Sequence, residues 1–147
     1  MPLAGQILQA GRIPGERIAT TRVTSNSGDF TTSQAVVMSV TGPLVAGRTY
    51  GIHAFVRFSG VDNEDIGVRI LEDGIGGSQL QSLAMEMSVD DQETWGESRW
   101  MYAEYTAPAN EDKTFVITAQ VIAGSGPARL LATAARPCYM YIEYIEG

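Results

Sequence analysis

His53 and Cys138 are the chain's single histidine and single cysteine, and both side chains suit acid–base or nucleophilic catalysis. A catalytic histidine would need a nucleophile and an orienting carboxylate, yet the sequence contains no G-x-S-x-G motif. A catalytic cysteine would need a neighbouring base, and only His53 is available. We therefore predict a surface or interface histidine, a small buried apolar cysteine, no catalytic residues and no enzyme activity.

Acidic side chains cluster at 62–65 (DNED) and again at 90–93 (DDQE). Calcium takes six to eight oxygen ligands, which such loops can supply, but neither cluster follows the EF-hand pattern. We interpret both as solvated acidic turns and keep a calcium site at Asp62 and Asp65 as the alternative. One cysteine and one histidine exclude a Cys/His zinc site within the chain.

The glycine-rich stretches at 73–78 (DGIGGS) and 124–127 (GSGP) lack the Gly-Lys-Ser/Thr ending of a phosphate-binding loop. Both are therefore predicted to be hairpin turns, and no cofactor is expected.

Trp95 and Trp100 lie in the stretch TWGESRWMYAEY, and exposed aromatic side chains can stack on sugars or anchor an interface. Trp100 alternates with Tyr102 along a predicted strand, which favours a core position for Trp100. Trp95 stands beside Gly96 in an acidic loop, and we expect it to be exposed as a candidate ligand contact.

The net charge is −7, and the nine arginines and one lysine are scattered singly. Nucleic-acid binding requires clustered bases, so nucleic acid is not expected as a partner. No apolar run approaches eighteen residues, so a membrane partner is not expected either. The first residues lack a basic region followed by a long apolar one, and we therefore expect no signal peptide.

Strand signals dominate the sequence, and the period-two alternation of β-strands is clearest in two segments. Two segments, 48–58 and 113–123, place one set of side chains inward: Tyr50, Ile52, Ala54, Val56 and Phe58 in the first, and Phe115, Ile117, Ala119 and Val121 in the second. The other predicted strands are 17–24, 34–41, 65–72, 79–89, 98–106, 128–135 and 139–145, separated by turns at 24–33, 41–47, 59–65, 73–78, 107–112 and 124–127. The segment 78–87 fits helical spacing as well, and we favour a strand. This spacing predicts a single all-β sandwich or barrel.

The first sixteen residues differ from the rest, since they contain three glycines, two prolines and four scattered aliphatic side chains. A disordered tail should be poor in aliphatic residues, which favours an arm that docks on a neighbouring subunit. We therefore divide the chain into an N-terminal docking arm at 1–16 and a sandwich domain at 17–147. The predicted interface residues of the arm are Leu3, Ile7, Leu8 and Ile13.

Five short motifs resemble those of small virion structural proteins, the head decoration and minor tail proteins of tailed phages that infect actinobacteria. They are LAGQ at 3–6, AGRTY at 46–50, VRILED at 68–73, GPAR at 126–129 and IEYIEG at 142–147. The resemblance implies a non-enzymatic virion protein on the outside of the capsid or tail, made in the host cytoplasm. Its implied partners are its own copies, expected as a homotrimer, and major capsid or tail proteins. Capsid decoration is slightly favoured over the tail.

The strand that opens with AGRTY also resembles the third-strand region of jelly-roll carbohydrate-binding modules. This likeness favours a jelly-roll-like antiparallel β-sandwich that carries the N-terminal arm. It also provides the alternative function, binding of a host surface glycan by Trp95 and nearby tyrosines, with calcium at Asp62 and Asp65.

Overall fold

A computed structural model describes residues 14–61, 63–87, 96–124 and 126–147 and contains nine β-strands within them. The strands are β1 (Arg17–Val23), β2 (Ala35–Leu44), β3 (Thr49–Ser59), β4 (Asp65–Glu72), β5 (Gln79–Glu86), β6 (Glu97–Thr106), β7 (Glu111–Ala123), β8 (Arg129–Leu130) and β9 (Cys138–Glu146). No helix occurs in these four segments.

The strands form two antiparallel sheets that pack face to face. The front sheet has the order β1-β9-β3-β6, with the short β8 also against β3, and the back sheet has the order β2-β7-β4-β5. Apart from β8, the four strands of each sheet are interleaved along the chain in the double Greek-key order of a jelly roll. The prediction of an all-β, jelly-roll-like antiparallel sandwich is therefore confirmed.

The core lies between the sheets and is built from the side chains that the period-two pattern pointed inward. All five inward residues predicted in β3 and all four predicted in β7 are buried. Met140 and Ile142 of β9 and Ile66, Val68 and Ile70 of β4 belong to the same cluster. Each fully buried large apolar side chain contributes roughly 1.5–3 kcal/mol relative to exposure, so these alternating positions determine which face of each strand is inside.

The connection at 73–78 is the predicted hairpin turn between β4 and β5. Asp73 adopts a positive φ of 65°, and the Gly77 N–H donates to the Gly74 carbonyl over 3.0 Å. A Cβ at Gly77 would lie 1.6 Å from the Glu72 carbonyl oxygen, so only glycine fits there. The strand interpretation of 78–87 is confirmed by β5, whose described bounds are Gln79–Glu86.

Two predicted boundaries are wrong. The turn expected at 41–47 begins later, because β2 continues through Gly42 and Pro43 to Leu44. A proline is tolerated there because β2 is an edge strand, where one side of the backbone has no partner. The strand expected at 128–135 is reduced to β8, because a tight turn follows in which Thr133 and Arg136 exchange backbone hydrogen bonds.

Candidate ligand-binding face

Six ring-bearing side chains cover the outer surface of the front sheet, and we call this surface the aromatic face. They occupy outward positions on three neighbouring strands, β9, β3 and β6, whose register places them in two rows across the sheet. The first row is Tyr139, Phe55 and Trp100, and the second row is Tyr141, His53 and Tyr102.

The first row is a compact aromatic cluster. The ring centroid of Phe55 lies 5.1 Å from that of Trp100 and 5.8 Å from that of Tyr139. Trp100 meets Tyr139 edge-on at 5.5 Å, and 57% of its surface remains exposed. A large apolar ring that packs against neighbouring rings and remains more than half exposed provides a plane on which a ligand can stack.

The second row combines rings with carboxylates. His53 stacks on Tyr141 at 4.5 Å with an interplanar angle of 12°, and its Nε2 lies 2.8 Å from Glu143 Oε2. The Tyr102 hydroxyl donates to Glu104 over 3.0 Å. Partial burial is the largest of the effects that raise the pKa of Tyr102, and this hydrogen bond to the Glu104 carboxylate is the next. The hydroxyl therefore remains a donor through the neutral range.

The absence of a side chain at Gly51 leaves room for the rings of His53 and Tyr102 to lie close to the carboxylates of the second row. A Cβ at Gly51 would lie 2.9 Å from Tyr102 Cε2 and 3.1 Å from His53 Nε2. A side chain at this position would therefore push both rings away from Glu143 and Glu104, which lie at the same end of the aromatic face.

A groove of about 310 Å³ adjoins the aromatic face along β1, and we call it the arginine groove. The described residues that line it are Arg17, Thr20, Arg22, Pro137 and Tyr139. The Arg17 guanidinium lies over the Tyr141 ring, 3.8 Å from its centroid, and the Arg22 Nη2 donates to the Ala134 carbonyl over 3.5 Å. Tyr139 belongs to both surfaces, so the groove and the aromatic face are continuous.

Three residues singled out from the sequence lie on or under this sheet. His53 is a half-buried surface residue, as predicted, and Cys138 is fully buried, as predicted. The Cys138 Sγ donates to the Leu131 carbonyl over 3.2 Å, and burial raises its thiol pKa, which disfavours the reactive thiolate. The core position predicted for Trp100 is wrong, because Met101 and Ala103 point inward instead.

The acidic stretch 62–65 differs from the solvated turn that we expected. Glu64 is 1% exposed, and its carboxylate packs so closely against Gly60 and Gly126 that a Cβ at either glycine would lie about 3 Å from an oxygen. Burial raises the pKa of Glu64 and outweighs the effect of the nearby Gly126 and Val61 backbone. Neither carboxylate oxygen of Glu64 has a hydrogen-bond partner among the described residues. Asp65 is half-buried at the start of β4, whereas Asp62 lies outside the described residues.

Other predicted site residues also lie outside the described part of the chain, namely Trp95 and the arm residues Leu3, Ile7, Leu8 and Ile13. Among the residues that are described, no group of three or more His, Cys, Asp and Glu side chains could hold a metal ion. The same residues include no helix long and apolar enough to cross a membrane.

The aromatic face was missed in the sequence because its members come from three segments that are distant along the chain. One signal was present: Trp100 and Tyr102 alternate with Met101 and Ala103, so one of the two sets had to point outward. The large apolar ring of Trp100 favoured an inward position for its own set, whereas the set of Met101 and Ala103 is the one that is buried.

No protein-family model matches the sequence, and no curated protein matches it. Among solved structures, the chain is similar to a family 6 carbohydrate-binding module from Cellvibrio mixtus lichenase 5A in complex with cellotriose, at 16% identity and a TM-score of 0.42. That match covers 86% of this chain and 97% of the module.

Two further solved structures have comparable scores. The xylan-binding CBM22-1 domain of Paenibacillus barcinonensis Xyn10C matches at 8% identity and a TM-score of 0.40, over 91% of this chain and 97% of that domain. The Eiger TNF of S. frugiperda matches at 8% identity and a TM-score of 0.47, over 89% of this chain and 94% of that one. At such scores, no ligand or partner is transferred from these proteins to the present chain.

Proposed function

We propose that the chain is a non-enzymatic glycan-binding module and that the glycan lies on the aromatic face. The observation that carries this proposal is the exposed Trp100 ring, which stands in a continuous layer with Phe55 and Tyr139. The apolar faces of sugar rings stack on aromatic side chains, because both surfaces are flat and gain from leaving water.

The polar groups beside the rings suit sugar hydroxyls. Glu143 and Glu104 offer acceptor oxygens at one end of the face, next to the His53 imidazole and the Tyr102 hydroxyl. Binding sites of this kind combine an apolar floor with a few placed polar groups that fix the orientation of the ligand.

Trp100→Ala tests the proposal directly. We expect glycan affinity to fall at least about tenfold, equivalent to about 1.4 kcal/mol, because the stacking plane is removed. Binding would be screened on a glycan array with the wild-type chain, and affinities for the ligands found would be measured by calorimetry.

Ile122→Ala is the matched control, because Ile122 is 49% exposed on the back sheet. We expect it to leave affinity unchanged, and we expect both variants to retain the wild-type melting temperature within a few degrees. An array without binding above background, or a Trp100→Ala variant that binds as tightly as wild type, would contradict the proposal.

As a second candidate, we propose a virion structural protein that assembles through contacts between copies. The sequence motifs at 46–50, 68–73 and 142–147 favour it, since they resemble those of virion structural proteins. The exposed aromatic side chains are also compatible with a subunit interface, where tryptophan and tyrosine are enriched. The two candidates differ in what they require: the first needs an aromatic face that is open to a glycan, and the second needs contacts between copies, made by the N-terminal arm or by the aromatic face.

A further inference from the structure

We infer that the glycan is anionic and that its carboxylate or phosphate group is held in the arginine groove. This inference rests on the proposed function and specifies the class of glycan. It begins from a charge contrast, since the chain has a net charge of −7, whereas the described lining of the groove contains two arginines and no acid.

The register of the front sheet aligns the groove with the aromatic face. Arg22 is opposite Tyr139, Tyr139 is opposite Phe55, and Phe55 is opposite Trp100. One row across four strands therefore begins at a guanidinium and ends at an exposed indole ring. With neighbouring strands about 4.8 Å apart, this row spans about 14 Å, which is long enough for an oligosaccharide rather than a single sugar.

The chemistry of the groove matches an anion. A guanidinium presents paired N–H donors in a plane that fits the two oxygens of a carboxylate or phosphate. Arg17 is already positioned over Tyr141, and the Thr20 side chain adds a hydroxyl to the same lining. Neither Arg17 nor Arg22 is in an ion pair with a described carboxylate.

The acidic end of the face adds selectivity by repulsion. Glu143 and Glu104 lie beside the second row of rings, at the far end of the face from Arg22. Arg17 lies opposite Glu143 in the β1–β9 register, so Arg22 is the groove arginine that is remote from both carboxylates. An anionic group at the acidic end would face Glu143 and Glu104, so the ligand is favoured in the orientation that places its charge beside Arg22.

Arg22→Gln tests the inference, because it removes one charge from the groove and leaves every aromatic side chain in place. Calorimetry would compare three probes, namely an oligogalacturonate, a neutral gluco-oligosaccharide of the same length and a glycerol-phosphate oligomer. We expect wild type to bind an anionic probe at least about fivefold more tightly than the neutral one, with weaker binding at high salt. We expect Arg22→Gln to lose this preference and to keep its affinity for the neutral probe.

Arg69→Gln is the matched control, because it makes the same change on the back sheet, and it should behave as wild type. Preferential binding of the galacturonate supports a carboxylate ligand, and preferential binding of the glycerol phosphate supports a phosphate ligand. Equal or tighter binding of the neutral probe, or an anionic preference that survives Arg22→Gln, would overturn the inference and leave the glycan-binding proposal standing. If no oligosaccharide binds, the proposed function itself fails.

Discussion

At the scale of single residues, Lys113 shows how a buried charge is stabilised by two neighbouring carboxylates. It is the chain's only lysine and is 7% exposed. Its Nζ lies 3.0 Å from Glu72 Oε1 and 2.9 Å from Asp73 Oδ2. Burial by itself would lower the pKa of Lys113, but hydrogen bonds to Asp73 and Glu72 outweigh burial and raise the pKa above its ordinary value of 10.5.

We predict that Lys113→Met lowers the free energy of unfolding at pH 7 by about 1–3 kcal/mol, less than for a fully buried pair because Asp73 reaches solvent. Since the folded pKa is raised, the charge stabilises the fold below pH 10.5 and ceases to do so as the pH rises through the folded pKa. The difference between wild type and variant in urea unfolding should therefore be constant from pH 6 to about 9 and shrink above 10.5. A difference that persists unchanged at alkaline pH would contradict this account.

Trp100 shows what sequence patterning can and cannot decide at one position. The strand itself was predictable from alternation, but both of its faces carry apolar side chains, Met101 and Ala103 on one and Trp100 and Tyr102 on the other. Burial selected the smaller pair because the space between the sheets is already occupied by the large inward side chains of β3 and β7. Alternation specifies that two faces exist, whereas packing against distant strands decides which face is inside.

At the scale of elements, strand positions were largely predictable and strand partners were not. The segments that became β3, β4 and β7 show period two and end in turn-forming residues, which are local properties. The pairing of β3 with β6 and β9 joins segments far apart along the chain. The hydrophobic pattern of a strand does not specify which other strand it pairs with. The short β8 was overestimated for a related reason, because Leu130, Leu131 and Ala132 are all buried without continuing a ladder.

At Gly42, strand β2 of the back sheet packs closely against β1 and β9 of the front sheet. A Cβ there would lie 2.9 Å from Ala19 Cβ and 3.2 Å from Ile142 Cδ1, so β1 and β9 leave no room for a methyl group. We predict that Gly42→Ala lowers the free energy of unfolding by about 1–3 kcal/mol through overpacking. Gly28→Ala is the control, since a Cβ at Gly28 meets nothing within 4 Å. Equal midpoints for the two variants in urea would show that the sheets separate at little cost.

At the scale of the whole molecule, the jelly roll explains why one surface can carry a site without weakening the core. Strands β9, β3 and β6 contribute alternate side chains to the interior and to the aromatic face, so the two sets can vary separately. The position of β1 at the sheet edge also brings the arginine groove beside the rings. The sandwich could be predicted from the sequence. The position of the groove beside the rings depends on strand order, so it could not be predicted in the same way.

The proposed assembly of copies is tested at this scale. For the full chain, we expect light scattering to give three times the 15.8 kDa of one copy, with the docking arm joining subunits through Leu3, Ile7, Leu8 and Ile13. Deletion of residues 1–13 is the informative truncation, because it keeps Gly15 and Glu16, whose backbones exchange hydrogen bonds with Tyr144 over 2.8 and 2.9 Å. The truncated chain should remain folded and become monomeric, and Ile7→Ser with Leu8→Ser should do the same.

The outcomes of this experiment distinguish whether the arm or the aromatic face joins the copies. A monomeric full chain would contradict self-assembly in solution. A trimer that survives the truncation would contradict the role of the arm. If that surviving trimer dissociated in Trp100→Ala, the exposed ring would belong to an interface between copies, since removal of a central tryptophan typically costs an interface more than 2 kcal/mol. Trp100 would then be covered in the assembled protein, and the glycan-binding proposal would fail together with the arm.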